Sequence, residues 1–107
     1  PRPEVVLGDR FGAAAGRDVM DQIEAAFTRA GLRVSRNAPF AGAYIAQAYG
    51  RPSRGFHVVQ VEIDRALYMN EGRVEKRADF DAFRALISGV IEEVTSGFGT
   101  GVALAAE

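Results

Sequence analysis

No cysteine occurs in the chain, which excludes disulfides and thiolate metal sites and leaves the redox compartment unread. Histidine is nearly as scarce, with His57 standing alone. A catalytic zinc usually takes three protein ligands, mostly histidine with Asp or Glu, and one histidine cannot supply that cluster. A Ser–His–Asp triad would need the fold to bring a serine and a carboxylate to His57, and no G-x-S-x-G elbow points to one. Any hydrolytic metal chemistry must take its ligands from elsewhere. An excess of one charge is missing too: 13 basic and 14 acidic residues give a net charge of −1. The sequence therefore shows no electrostatic footprint for nucleic acid or an anionic membrane. No apolar run is long enough to span a bilayer, and the opening PRPEVVLGD lacks the basic-then-apolar layout of a secretory signal. A soluble, cytoplasmic protein is expected.

What is present is ordinary for one globular domain: 107 residues, 48% hydrophobic and 25% charged, enough to bury a modest core. Glu4 to Leu7 reads as a short buried strand closed by Gly8-Asp9. In the loop that follows, glycines at 8, 12 and 16 fit no phosphate-binding pattern. From about Arg17 to Ala30 the residues Val19, Ile23, Ala26, Phe27 and Ala30 recur at helical spacing, and Gly31 is placed to end the helix left-handed. Leu32 to Ser35 alternates as a second strand, so a crossover between parallel strands is expected. The stretch 36–54 carries Pro39, Pro52, Gly42 and Gly50 among Phe40, Tyr44 and Tyr49, and reads as loop with one short ordered piece. Beyond it, Phe56 to Asp64 forms a strand, 65–77 a short helical turn and a charged connection, and Asp79 to Ser96 a helix with Asp79 as N-cap. The glycine- and alanine-rich end, GFGTGVALAAE, reads as a frayed terminus.

The strand FHVVQVEID carries the main question. Alternation puts His57, Val59, Val61 and Ile63 on one face and Val58, Gln60, Glu62 and Asp64 on the other. That polar face is either a half-exposed surface meeting water or a rigid mount for a working carboxylate, and pattern alone leaves both open. His57, in phase with valines, reads as packed rather than catalytic.

VVLGDRFG at 5–12, NAPFAGAYIAQAYGRPSRGFHVVQVEID at 37–64 and RALYMNE at 65–71 together resemble the C-terminal portion of bacterial N-formylglutamate amidohydrolases. The distinctive part is the ordered series Asn37-x-Pro39-Phe40, Gly42, Tyr49-Gly50-x-Pro52, His57, Gln60-x-Glu62 and Tyr68-Met69. Ala48, Ala43 and Ala14 depart from a basic, a glycine and a small hydroxyl residue that are common there. The resemblance implies an α/β fold, a mixed sheet flanked by helices like the C-terminal half of a phosphorylase/hydrolase-like, zinc carboxypeptidase-related core. It also implies a zinc hydrolase releasing formate and L-glutamate from N-formyl-L-glutamate in histidine degradation.

Family members are about two to three times as long as this chain, with histidine metal ligands in their N-terminal half. The domain 1–107 is therefore expected to be a C-terminal fragment without metal ligands of its own. Alone it should be inactive and able to associate with itself or with the missing half. By resemblance Glu62 is the general base, and Arg51 is the cationic fork for substrate carboxylates. Arg10, Asn37 and Tyr44 are further pocket candidates, while Asp64 pairs with Arg65 or caps the next turn. Two rivals remain: an amidohydrolase for another N-acyl amino acid or peptide, and a non-catalytic interaction domain.

Overall fold

The computed structural model describes residues 2–39, 41, 42, 44–73, 75–97 and 102–106, with side chains described at all of these except 44, 45, 97 and 102–106. Phe40 and Ala43, singled out above, lie outside the described residues.

Strand β1 (Val5–Gly8) leads through a loop to α1 (Arg17–Arg29) and back to β2 (Val34–Arg36). β2 pairs with β1 in parallel, Val5 opposite Val34 and Leu7 opposite Arg36, as a strand–helix–strand unit requires. It begins two residues later than the Leu32 start read from alternation. The helix buries Val19, Met20, Ile23, Ala26 and Phe27, the stripe a 3.6-residue period predicts. Gly31, at φ 88°, turns the chain out of it in the left-handed region that glycine tolerates best. Arg36 donates to Asp21 and Glu24 of α1 at 2.7 and 2.6 Å, tying β2 to the helix. The hydrogen bond to Asp21, then that to Glu24, raises the Arg36 pKa above its ordinary value.

The middle segment holds more order than its glycines and prolines suggest: a helix α2 (Tyr44–Tyr49) and a 3-10 turn at Pro52–Arg54. Strand β3 (His57–Ile63) runs antiparallel to β1, with Val6 opposite Glu62 and Gly8 opposite Gln60. A 3-10 turn at Arg65–Leu67 follows, with Asp64 as its cap: Oδ1 accepts from the Ala66 amide at 3.1 Å. Asp64 pairs with Arg2 at 3.1 Å rather than with Arg65, which reaches Glu71. Within the charged connection, β4 (Met69–Asn70) and β5 (Glu75–Lys76) form a small hairpin that the sequence reading lacked.

Helix α3 (Phe80–Gly97) lies where the apolar stripe put it, while the Asp79 carboxylate pairs with Arg77 at 3.1 Å. The expectation of a frayed terminus is wrong for 102–106. These residues form β6 (Val102–Ala106), parallel to β3, with His57 opposite Val102 and Val61 opposite Ala106. The reason is pairing rather than composition, since the second edge of β3 offers a row of backbone donors and acceptors. The main sheet thus runs β2-β1-β3-β6, a mixed sheet within an α/β fold.

Val5, Leu7, Val59 and Val61 face α1 and, from α3, Val90 and Val94, and together form the main core. The opposite face is thinner: there Val58 packs with Ala46 of α2 and with Ala14.

Candidate active site

Glu62 stands on the thinner face, half-buried, in a strand hydrogen-bonded on both sides. Gln60, two residues back on the same face and 6% exposed, donates Nε2–H to Glu62 Oε1 at 2.8 Å. The polar interruption of this apolar strand is therefore a matched pair in which an amide fixes the direction of a carboxylate. Glu62 opens into a cavity of about 250 Å³ whose wall includes Val6, Pro39, Ile63, Asp64, Arg2 and Glu4.

Two glycines let loops close over this face. A Cβ on Gly8 would lie 2.7 Å from the Gly42 nitrogen and 2.8 Å from the Ala41 carbonyl carbon, so the segment 41–42 rests directly on the strand end. A Cβ on Gly50 would lie 2.6 Å from both Cα and Cβ of Ala14, which brings the end of α2 against the loop before α1. Ala14 is 1% exposed, so a larger side chain there would press on Gly50.

Asn37 does not project freely into a pocket. Its backbone is left-handed at φ 58°, its Oδ1 accepts from the amides of Asp9 (3.0 Å) and Phe11 (3.3 Å), and its Nδ2 donates to Asp9 Oδ1 at 2.9 Å. Asp9, only 4% exposed, also accepts from the Gly12 amide at 3.2 Å. Sequence reasoning missed Asp9, reading it as turn punctuation after β1. Its partner is 28 positions away, and no local pattern reports that distance. Arg10 follows at φ 57°, its amide donating to the Ala41 carbonyl at 2.7 Å and its Cδ beside Gly42.

Arg51 lies apart from this group. Its Nη1 donates to the carbonyls of Gln47 (3.1 Å) and Gly50 (2.5 Å), closing the C-terminus of α2, and its backbone bridges to Phe56. Among the described residues neither Arg51 nor Arg10 nor Asn37 forms part of the Glu62 cavity wall; Pro39 is the member of the neighbouring loop that does. Tyr44 opens α2, but its side chain is not among those described.

His57 accepts at Nδ1 from the Gly16 amide at 2.9 Å, serving as a distant N-terminal cap for α1. Among the described residues no group of three or more His, Cys, Asp or Glu side chains is placed to hold a metal ion, so these residues do not fit the implied zinc. Nor, among them, is any helix long and apolar enough to cross a membrane.

A sequence model of one family, N-formylglutamate amidohydrolase, matches residues 1–69, which hold β1, α1, β2, α2 and the whole of β3. The chain belongs to that family. N-formylglutamate deformylase of Pseudomonas aeruginosa PAO1 is 33% identical over 95 residues, covering 86% of this chain and 36% of that protein. The crystal structure of N-formylglutamate amidohydrolase from Ralstonia eutropha JMP134 superposes with a TM-score of 0.80 at 31% identity, over 92% of this chain and 36% of that one. The chain thus spans about a third of the length of the curated relative it matches, and the family series read from Asn37 to Met69 lies within the matched span.

Proposed function

We propose that this chain supplies the general base and part of the substrate pocket of a cytoplasmic amide hydrolase that releases formate and L-glutamate from N-formyl-L-glutamate, a step of histidine degradation. The observation that carries the reading is the Gln60–Glu62 pair, a carboxylate presented from an inner strand of a family domain to a cavity on the sparsely covered face.

Amide hydrolysis needs a water deprotonated as it attacks, a stabilised oxyanion and a protonated leaving nitrogen. Glu62 takes the water's proton and returns it to the departing nitrogen of glutamate, while Gln60 holds Oε1 so that the carboxylate need not reorient between the two transfers. Arg10 answers a substrate carboxylate, Asn37 shapes the loop beside it and Tyr44 borders the pocket. Arg51 serves the same substrate by exchanging its carbonyl partners at the end of α2 for a carboxylate. The described residues do not hold zinc, so the proposal places its ligands elsewhere in the whole protein and assigns this chain only proton transfer and substrate binding.

On this reading the chain alone turns nothing over and associates with itself or with the remainder of such an enzyme. Formate release from N-formyl-L-glutamate, measured for the chain alone and for a full-length enzyme carrying it, tests the proposal. Turnover by the full-length form alone supports it. A full-length enzyme that prefers other N-acyl amino acids would move the specificity, with Ala48 and Ala43 the first positions to account for it.

A further inference from the structure

Three residues other than glycine adopt left-handed backbone among the described residues, and all three sit at one junction: Arg10 (φ 57°), Phe11 (φ 56°) and Asn37 (φ 58°). Such conformations persist only where surrounding bonds over-determine them. The bonds here are Asn37 Oδ1 to the Asp9 and Phe11 amides and Asn37 Nδ2 to the nearly buried Asp9 carboxylate, which also holds the Gly12 amide. One loop thereby carries Arg10. The other carries Pro39, which borders the Glu62 cavity, and Ala41, whose carbonyl receives the Arg10 amide. The close approach of Gly8 to Ala41 and Gly42 independently places that second loop on the strand face from which Glu62 projects.

We infer that Asp9 and Asn37 are positioning residues: their mutual bond locks the Arg10 loop to the Pro39 loop, so that Arg10 meets substrate at a fixed place relative to Glu62. The inference rests on the hydrolase reading for its substrate, but the lock itself can be tested without turnover.

In this chain, amide hydrogen exchange compares the parent with Asn37→Ala. The expected result is loss of protection at Phe11 and also at Arg10, whose own acceptor, Ala41, the substitution leaves untouched, while Ile23 and Leu7 keep parental protection. An Arg10 amide that stays protected overturns the coupling. Should Asn37→Ala fail to fold, Asn37→Asp, which keeps an acceptor for the Asp9 and Phe11 amides but sets a second carboxylate against that of Asp9 in place of the Nδ2 donor, carries the Arg10 comparison with the same outcome overturning the coupling.

In a full-length enzyme, Asn37→Ala should raise KM about tenfold, as loss of one substrate contact does, with kcat within about threefold of the parent. In an Arg10→Ala background the same substitution should add almost nothing, because the group it positions is gone. Equal effects in both backgrounds, or a fall in kcat alone at unchanged KM, identify a merely structural role and sink the proposal. A parent enzyme with no turnover of any N-acyl amino acid would defeat the hydrolase reading, and the exchange result would then decide the lock.

Discussion

Along β3, Val59, Val61 and Ile63 turn toward α1 and α3, while Val58, Gln60 and Glu62 turn toward α2 and the 37–42 loop. The first side is covered by two long helices and contains the largest fully buried side chains, among them Phe27, Leu7 and Ile23. The second has one short helix, two glycine-mediated close approaches and a half-buried carboxylate. One strand serves both because its side chains alternate: packing on one side fixes the direction of the group presented on the other. Stability and chemistry should therefore separate by face, and substitutions can test how cleanly they do.

The largest expected effect falls on the thin face. Glu62→Gln in a full-length enzyme keeps shape while removing the capacity to accept a proton, so kcat should drop roughly 10² to 10⁴-fold with thermal stability near the parent's. Activity within a factor of about two would return Glu62 to the role of a solvated strand residue. Next comes the packed face: Phe27→Ala should cost about 3–5 kcal/mol by creating a cavity in the core, seen as a lower midpoint in chemical denaturation. Loss of substrate affinity without that fall in stability would break the division of labour.

Gly50→Ala attacks the contact with Ala14 and should cost about 1–3 kcal/mol through overpacking, with KM rising as α2 shifts. A neutral result would mean that the two loops separate freely. The smallest effect is at the cap. His57→Ala removes the acceptor of the Gly16 amide and should cost about 0.5–2 kcal/mol with no change in bound metal. Loss of metal from a full-length enzyme bearing that change would make His57 a ligand after all.

The packed face was legible in the sequence because burial imposes a period. The stripe from Val19 to Phe27 and the alternation of Val59 and Val61 announced α1 and β3 without knowledge of any partner. α2 was legible only as one short ordered piece, because proline and glycine flank a six-residue helix too short to display a period. β6 escaped for a related reason: VALAA has no polar alternation to mark it, and its identity comes from the free edge of β3. At the site, Glu62 was visible as a charge in an apolar run, and the family series named it. Asp9 was not, since a buried carboxylate looks like any turn residue until Asn37 is seen beside it. Arg51 shows the opposite case, a residue prominent in the motif whose guanidinium the structure engages with nearby carbonyls.

The pairing of β3 with β6 also bears on how the protein is made. Val59 lies opposite Leu104, and Val5 on the other side lies opposite Ile63, so the strand bearing Glu62 closes only when segments far apart in the chain have met. During synthesis residues 102–106 leave the ribosome after β3, and for that interval this edge of the strand has no partner among the described residues. Contacts of such long separation form slowly, and an unpaired strand edge is where nascent chains pair wrongly. The carboxylate proposed for proton transfer is thus mounted on a strand whose second edge is filled only once residues 102–106 have been made, which exposes it to mispairing and chaperone capture in that interval.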